Sequence, residues 1–403
     1  MRVLVTDGHF RKTLAVVRSL GRKGVHVTVG ERTFLNTSFF SKYCSRGIVY
    51  PSPKRFPDRF IEFLLTEIKK HPIDCLFPME EETLLLIAKY RSEISRYTCL
   101  LVPDLKKIEF VRDKGNLIRF AEAHGIPVPK TFYTPPTPEP CEVQGSLVPH
   151  VVQDLTHVIP KIPIPAVIKP RISSGSFGIA YIEKKEDLAS SYQRVHMQYP
   201  FPLIQEYIPD GGGTFGLSAL FDERSNVKAA FVHKKLRMYP VKGGPSTLRE
   251  GVEHPRIMEL GLSLLKALNW VGIAMAEFKV DPRDGIPKLM EVNPRFWGSL
   301  QLAIFSGVDF PYLMLRMAER KNFEPILHYE TGKRCRWLLF GDILHFVNNP
   351  ERFHLYPPFF RFFEPNTCDD ILSGEDPLPI LGAAATFFTF LYDPEMKRFL
   401  ERR

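Results

Sequence analysis

The chain has 403 residues, of which 44% are hydrophobic and 25% charged, which is typical of soluble globular proteins and sufficient for two or three domains. It carries 54 Lys and Arg residues against 45 Asp and Glu, a formal net charge of +9. Because the cations are scattered, without runs of five or more, this surplus argues against nucleic acid binding and favours an anionic small substrate such as a nucleotide.

The location of the protein follows from its cysteines and its apolar segments. The six cysteines lack the short spacings of metal-binding motifs and predict reduced thiols in a cytoplasmic protein. The N-terminal strand leads directly into a polar turn, so no signal peptide is expected. The longest apolar run, residues 378–392, is too short for a transmembrane helix, which needs roughly 20 residues.

The first elements predict a parallel sheet. Residues 3–8 favour a short buried strand, 11–22 a helix and 24–29 a second strand, the order of a right-handed βαβ unit. Thr6–His9 stands where a dinucleotide-binding protein carries its glycine motif, and those glycines are missing. The topology is therefore Rossmann-like without a nicotinamide site, and Thr6–His9 is only a candidate substrate segment.

Three acids follow the next predicted strand, at residues 74–78. Glu80, Glu81 and Glu82 open a predicted helix, where negative charge complements the positive end of the helix. They also stand at the carboxyl end of a sheet strand, where open α/β sheets bind ligands. Helix capping and substrate contact both remain open for Glu80 and Glu82.

A lysine and a glycine-rich loop mark the middle of the chain. Residues 113–125 predict an amphipathic helix, and the proline-rich stretch 134–165 predicts a hinge or an excursion. A strand then carries Lys169, followed by the loop 171–179, rich in Ser and Gly. Such loops expose backbone N–H groups that hold phosphate oxygens, and Lys169 would add positive charge.

Further strands follow at 203–210 and 214–221, separated by three glycines. A basic strand then presents Lys234, Lys235 and Arg237 ahead of another glycine turn. These cations fit either a solvated strand edge or contacts to an anion. Lys235 and Arg237 are therefore candidate substrate residues.

Two strands around a turn at 281–287 carry a candidate metal site. Glu291 and Asn293 are two residues apart and face the same way on one strand, within reach of Glu277 on the other. Carboxylate and amide oxygens without sulfur or imidazole suit Mg²⁺. Arg295 follows two residues later, a planar cation for a phosphate or carboxylate. The alternative is a solvated strand face with ordinary charges.

Beyond residue 323 the sequence becomes rich in aromatic residues. Such residues usually form core or a subunit contact, and less often a membrane-surface patch. A cap packed on the preceding domains is the favoured interpretation.

The order of these motifs resembles the ATP-grasp superfamily over roughly residues 1–320, and within it the predicted ATP-dependent carboligases related to carbamoyl-phosphate synthase and D-alanine–D-alanine ligase. The motifs are Arg112-Asp113-Lys114, Val167-Ile168-Lys169-Pro170 with its loop, Gln205-Glu206-Tyr207-Ile208, and Glu277 with Glu291-Val292-Asn293-Pro294-Arg295. The resemblance implies an α/β ATP-grasp fold with an N-terminal Rossmann-like (pre-ATP-grasp) domain at 1–105, an ATP-grasp domain at 106–322 and an aromatic-rich C-terminal extension at 323–403.

The resemblance also implies roles for individual residues. Lys114 and Lys169 would contact nucleotide phosphates, Arg295 would stabilise the transferring phosphoryl group or the acyl phosphate, and Lys169 and Arg295 would be catalytic. The metal ligands would be Glu277, Glu291 and Asn293. The remaining ATP-binding residues would be the closing loop Ser173, Ser174, Gly175, Ser176 and Gly178, and the hinge Gln205, Glu206, Tyr207 and Ile208. The position of a ribose-binding acid departs from many relatives, and Asp210 is the only acid close by.

The expected reaction joins a small-molecule carboxylate to an amine with ATP and Mg²⁺ (or Mn²⁺), through an acyl phosphate, releasing ADP and phosphate. The alternatives are a bicarbonate-using carboxylase like carbamoyl-phosphate synthase, or a phosphorylating enzyme, and a non-catalytic ATP-binding regulatory module. Relatives are often dimers, so a homodimer is one expectation. No nucleic acid partner is expected.

Overall fold

A computed structural model describes residues 1–133, 142–143, 146–147, 158–173, 177–362 and 364–392. Unit 1 consists of Met1–Ile108, Phe215–Ala276 and Asn293–Arg403, and unit 2 of Glu109–Thr214 and Glu277–Val292. Each unit combines stretches that are distant in sequence. The predicted division at residues 105 and 322 stays a prediction, because the units follow contacts and not the order of the chain.

The chain is a mixture of helices and strands. The strands are β1 (Arg2–Val5), β2 (His26–Glu31), β3 (Arg46–Val49), β4 (Cys75–Phe77), β5 (Thr131–Phe132), β6 (Glu142–Val143), β7 (Ser146–Leu147), β8 (Ala166–Lys169), β9 (Ala180–Ile182), β10 (Leu203–Glu206), β11 (Thr214–Phe221), β12 (Val227–Met238), β13 (Ser246–Gly251), β14 (Gly272–Val280), β15 (Pro287–Asn293), β16 (Arg334–Arg336) and β17 (Thr367–Asp369). The helices are α1 (Arg11–Gly21), α2 (Pro57–Lys70), α3 (Glu81–Lys89), α4 (Arg91–Ile94), α5 (Leu105–Arg112), α6 (Lys114–Ala123), α7 (Asp187–Gln198), α8 (Pro255–Ala267), α9 (Leu300–Phe305), α10 (Phe310–Ala318), α11 (Ile343–Asn348) and α12 (Pro379–Tyr392).

The N-terminal sheet of unit 1 has the strand order β3–β2–β1–β4. All its pairs are parallel, with Val3 opposite both Val27 and Cys75. Apart from the edge strand β3, its strands are short and almost wholly buried, as expected where a parallel sheet is covered on both faces. The parallel pairing of β1 and β2 around α1 confirms the predicted βαβ unit.

A second sheet of unit 1 runs in the order β14–β11–β12–β13–β16–β17, with the first residues of β14 in this unit. β12 pairs antiparallel with β13, and β13 with β16. A single core cluster includes residues of both sheets together with Phe296, Trp297 and Phe310. The aromatic residues after the candidate metal stretch are therefore core residues.

Unit 2 contains a sheet in the order β5–β10–β8–β9, in which β10 and β8 are antiparallel. Helix α7 packs Leu188, Tyr192 and Val195 against Ile168 and Ile204 of this sheet. The spacing of four and three residues puts those three side chains on one face of the helix. The second half of β14 and the adjacent β15 complete the unit.

Two strands end earlier than the sequence predicted. β15 ends at Asn293, so Arg295 lies beyond the strand and not on its face as expected. The cause is Pro294, which has no backbone N–H for the ladder. β10 ends at Glu206, so Tyr207 and Ile208 follow the strand.

The apolar run near the C-terminus forms α12, Pro379–Tyr392. Among the described residues, no helix is both long enough and apolar enough to cross a membrane.

Candidate active site

The start of helix α6 in unit 2 is fixed by its cap. The Asp113 carboxylate accepts hydrogen bonds from the backbone N–H groups of Gly115 at 2.8 Å and Asn116 at 3.2 Å. Side chains in this position satisfy N–H groups that have no partner within the helix. Arg171 binds the same carboxylate in a forked geometry, with Nη2 2.7 Å from Oδ2. Lys114, the first residue of the helix, is thereby held at a defined position.

The side chain of Lys114 joins two segments that the sequence had singled out separately. Its Nζ donates to the carbonyl of Ser173 at 2.6 Å and lies 3.7 Å from the Glu291 carboxylate. Its backbone N–H donates to the carbonyl of Arg171 at 2.9 Å. The start of the Ser/Gly loop and the candidate metal strand therefore meet at Lys114.

Lys169, at the end of β8, belongs to the same group of charges. Burial and the neighbouring Lys114 lower its pKa to about 8, although the carboxylates of Glu291 and Glu277 act in the opposite direction. All four residues are in unit 2. We call Lys114, Lys169, Glu277 and Glu291 the unit 2 cluster. Two cations and two carboxylates far apart in sequence are thus neighbours in space.

The donor set of the unit 2 cluster fits magnesium. Mg²⁺ typically takes one or two carboxylates and completes its octahedron with phosphate oxygens and water. Glu277 and Glu291 supply the two carboxylates. Within the described ranges, no group of three or more His, Cys, Asp or Glu residues could hold a metal ion by protein ligands of these types alone. Asn293, the third predicted ligand, is the first residue of the following stretch of unit 1, and its role stays a prediction.

The predicted hinge is held by hydrogen bonds within unit 2. Gln205 is buried, and its amide donates to Thr131 at 2.8 Å. The backbone N–H groups of Glu206 and Tyr207 donate to the carbonyls of Lys130 and Pro165. These side-chain and N–H groups therefore stabilise the sheet, and Ile208 is buried beside them.

The carboxylate of Glu206, a predicted ATP-binding residue, has cationic partners within unit 2, and its contact to ATP stays a prediction. Burial alone would raise its pKa, but hydrogen bonds from the Lys130 N–H, Arg283 and Lys288 hold it below the ordinary value. Lys288 lies 3.2 Å from Glu206 and 2.7 Å from the buried Asp281. This network fixes β10 to the turn between β14 and β15.

Asp210 also has partners within unit 2. It accepts a hydrogen bond from the Tyr207 hydroxyl at 3.0 Å and pairs with Lys279 at 2.7 Å. Burial, together with the hydrogen bond to Asp210, raises the pKa of Tyr207 to about 12. The Asp210 carboxylate is 74% exposed, so the predicted contact to ribose stays a prediction.

The loop after Lys169 is described only at its two ends. Ser174, Gly175 and Ser176 lie outside the described residues. Gly178 has a φ of +73°, and a Cβ there would come within 2.5 Å of Tyr199 and 2.7 Å of Pro170. Both its conformation and its surroundings therefore require glycine at this position.

A second group of charges lies in unit 1. Lys12, near the start of α1, pairs with Glu80 at 2.7 Å, and Arg295 lies 3.7 Å from the other oxygen of that carboxylate. Lys12 and Arg295 both donate to the carbonyl of Phe296, at 3.1 and 3.0 Å. We call Lys12, Glu80 and Arg295 the unit 1 triad. The Glu80 carboxylate thus binds cations and does not cap α3.

The sequence indicated Asp7 only as part of the candidate substrate segment Thr6–His9, and it gave no indication of Lys12. Asp7 accepts hydrogen bonds from the Glu80 N–H at 2.9 Å and the Thr83 hydroxyl at 2.7 Å, so it binds the start of α3 from the segment that follows β1. Burial, with Glu31 and Glu80 nearby, raises its pKa to about 6. No pattern in the sequence indicated that Lys12 is buried, because a lysine in the first turn of an amphipathic helix usually faces water. Lys12 is only 3% exposed.

The other candidate substrate residues have different surroundings. Arg237 is buried and pairs with Asp342 at 2.5 Å, so neither the solvated edge nor a contact to a bound anion describes it. A buried guanidinium needs a carboxylate, and the structure supplies one from the C-terminal segment. Lys235 is half-buried opposite Arg249, and Glu82 is half-buried in the first turn of α3. Their roles stay predictions.

Comparison with known proteins agrees with this architecture. A family described as "ATP-grasp in the biosynthetic pathway with Ter operon" matches residues 228–338. A D-alanine–D-alanine ligase of Pelotomaculum thermopropionicum is 24% identical over 173 residues, covering 39% of this chain and 53% of the relative. A D-aspartate ligase of Enterococcus faecium is 25% identical over 240 residues, covering 56% of this chain and 53% of the relative. The chain spans about half the length of these curated relatives.

A solved structure extends the likeness to most of the chain. The biotin carboxylase of Campylobacter jejuni, determined as a β-γ-ATP complex, has a TM-score of 0.65 at 14% identity, covering 82% of this chain and 74% of that chain. At this identity the likeness shows the fold alone. The matches confirm the resemblance predicted from the motifs: the chain has the ATP-grasp fold and is related in sequence to ATP-grasp ligases.

Proposed function

We propose that the protein is an ATP-dependent ligase that joins a small-molecule carboxylate to an amine through an acyl phosphate. The observation that carries the proposal is the unit 2 cluster, in which Lys114 lies 3.7 Å from Glu291 and the pKa of Lys169 responds to Lys114, Glu277 and Glu291. A protein that only holds its fold has no need for two lysines beside each other. Their mutual repulsion is offset when the cluster binds phosphate oxygens.

The chemistry follows from the leaving group. A carboxylate acylates an amine poorly because oxide would have to leave. Transfer of the γ-phosphoryl group of ATP to a carboxylate oxygen forms an acyl phosphate and ADP. The amine then attacks the acyl carbon, the carbon–oxygen bond to phosphate breaks, and the amine loses a proton as the amide forms. Positioning and electrostatics supply most of the catalysis in phosphoryl transfer.

The roles of the residues follow this scheme. Lys114 and Lys169 bind the nucleotide phosphates, and Glu277 and Glu291, with Asn293, hold magnesium. Magnesium, when bound, neutralises phosphate charge and polarises the transferred group. Arg295, a catalytic residue in this proposal, stabilises the transferred phosphoryl group, and Glu80 contacts the acid or the amine. The loop around Ser173 and Gly178 covers the nucleotide.

The finer architecture is also part of the proposal. The parallel sheet β3–β2–β1–β4 is a Rossmann-like pre-ATP-grasp domain, and the segment from residue 323 is an extension packed on unit 1. The second statement is supported by buried ion pairs: Arg18 with Asp376 at 2.8 Å, and Arg249 with Asp370. The relatives named as D-alanine–D-alanine and D-aspartate ligases favour amino acids among the substrates to be tried first.

The experiment is phosphate release from MgATP with pools of small carboxylates and amines, tested separately, together, and with bicarbonate. Glu291→Ala serves as the blank and Glu259→Ala, on the exposed face of α8, as the matched control. We expect release that needs an acid and an amine together, lost by about 100-fold or more in Glu291→Ala, and retained in Glu259→Ala.

Two outcomes would overturn the ligase. Release stimulated by bicarbonate alone, without an amine, would make the protein a carboxylating enzyme. Tight MgATP binding with no stimulation by any pool would favour a nucleotide-binding regulatory module.

A further inference from the structure

Lys12 is a buried cation to which the proposed reaction assigns no task. It is 3% exposed, and its Nζ lies 2.7 Å from Glu80 Oε1 and 3.1 Å from the carbonyl oxygen of Phe296. Burial, together with the neighbouring Arg295, lowers its pKa to about 8, while Glu80 acts in the opposite direction. Burying an ammonium group costs free energy of hydration, which nearby acceptors must offset. The acceptors of Lys12 therefore indicate its role.

The two acceptors of Lys12 come from different parts of unit 1. Glu80 precedes α3, and its backbone is already fixed by the carboxylate of Asp7. Phe296 follows Arg295 directly and is buried in the core. Lys12 therefore ties a carboxylate of fixed position to the segment that carries Arg295.

The contact between Arg295 and Glu80 is looser than the contact of Lys12. The distance of 3.7 Å from Arg295 Nε to Glu80 Oε2 is too long for a hydrogen bond. Within the described residues, this Nε has no hydrogen-bond acceptor. A guanidinium and a carboxylate normally close to a forked pair with two hydrogen bonds. In this structure Lys12 Nζ lies 2.7 Å from Oε1 of the same carboxylate, and the forked pair is not formed.

We propose that Lys12 is a positioning residue that keeps Glu80 from pairing fully with Arg295, so that the Arg295 guanidinium keeps hydrogen-bonding capacity for an anionic group of the substrate. The triad carries two cations for the one Glu80 carboxylate, whose backbone N–H is bound by Asp7. Arg295 is 15% and Glu80 23% exposed in their side chains, whereas Lys12 is enclosed. This inference rests on the proposed function for the identity of the anion, but not for the geometry of the triad.

The test observes Arg295 itself. The Nε–Hε resonance of Arg295 is assigned by its loss in Arg295→Lys, and spectra are compared for the full-length wild type, Lys12→Met and Lys12→Arg. Arg22→Met is the matched control, because Arg22 is the residue after α1 and pairs with a carboxylate, Glu375, at 2.9 Å on the exposed surface. We expect the resonance to shift in Lys12→Met, to return most of the way in Lys12→Arg, and to stay unchanged in Arg22→Met.

Kinetics add a second readout. With the acid and amine pool that supports phosphate release, kcat should fall about 10–100-fold in Lys12→Met, with the KM for MgATP unchanged and partial recovery in Lys12→Arg. If the wild-type protein releases no phosphate, the proposed function is contradicted. The Arg295 resonance still tests the role of Lys12 in that case, because it does not depend on turnover.

An Arg295 resonance in Lys12→Met that matches the wild type would overturn the inference, as would a fall in kcat no larger than in Arg22→Met. If Lys12→Met does not fold, Glu80→Gln replaces it, because it removes the negative charge that Lys12 and Arg295 share. An unmoved resonance in that variant would likewise overturn the inference.

Discussion

The unit 2 cluster and the C-terminal segment of unit 1 use the same residue types in opposite ways. Arg249 is fully buried, and its Nη1 donates to Asp370 at 2.8 Å. Burial alone would lower its pKa, but Asp370 overcomes this and raises it. Lys169 has burial and Lys114 acting together to lower its pKa, with Glu291 and Glu277 only partly opposing them.

The difference distinguishes charges that hold the fold together from charges that we propose bind a ligand. A cation bound by a buried carboxylate at close range holds two segments together and has little left for a ligand. Two neighbouring lysines repel each other, and bound phosphate oxygens would relieve that repulsion. Clusters of like charge are therefore better guides to a binding site than the strongest ion pairs.

The largest expected effect would come from breaking the structural pair. Arg249→Met leaves the buried Asp370 with Arg11, at 3.1 Å, as its one cationic partner among the described residues. Removing one member of a buried pair typically costs about 3–5 kcal/mol, to be measured as a fall in the free energy of unfolding in urea. The matched control is Arg256→Met, whose pair with Glu259 is mostly exposed and worth about 1 kcal/mol or less. Equal small losses in both variants would contradict the structural role of Arg249.

The second prediction removes the cations of the unit 2 cluster. Lys114→Met and Lys169→Met should keep the free energy of unfolding and weaken MgATP binding about 10–100-fold each, because a hydrogen bond to a charged group contributes about 1.5–3 kcal/mol. Titration calorimetry measures the dissociation constant. Lys185→Met is the control, since Lys185 donates to the carbonyl of Pro160 on the exposed surface of the same unit. An unchanged dissociation constant would show that the unit 2 cluster does not bind the nucleotide.

The smallest effect concerns the buried imidazole of His233, which shares a hydrogen bond with the Ser299 hydroxyl. His233 is 1% exposed, and burial, with the nearby Lys235 and Arg249, lowers its pKa to about 3. Below the ordinary pKa of 6.5 the unfolded chain binds a proton that the folded chain does not. The free energy of unfolding therefore decreases as the pH is lowered from 6.5 to about 3. We expect a loss of about 1–2 kcal/mol between pH 7 and 5 that is absent in His233→Gln. Equal pH dependence in both proteins would place the effect elsewhere.

Local patterns in the chain were enough to predict much of this fold. The alternation and spacing of apolar residues predicted the βαβ unit and the strands that carry Lys169, Glu277 and Glu291. The order of motifs predicted the ATP-grasp resemblance. These features depend on neighbours within a few residues, which the sequence contains in full.

Other features depend on contacts across the chain, and only the tertiary structure decided them. Lys12 became part of the unit 1 triad because α1 brings it against Glu80 and Phe296, residues at distances in sequence that no local pattern encodes. The burial of Arg237 depends on Asp342, 105 residues later. The role of a charged side chain depends on the partner that it contacts, and only the folded chain brings the two together.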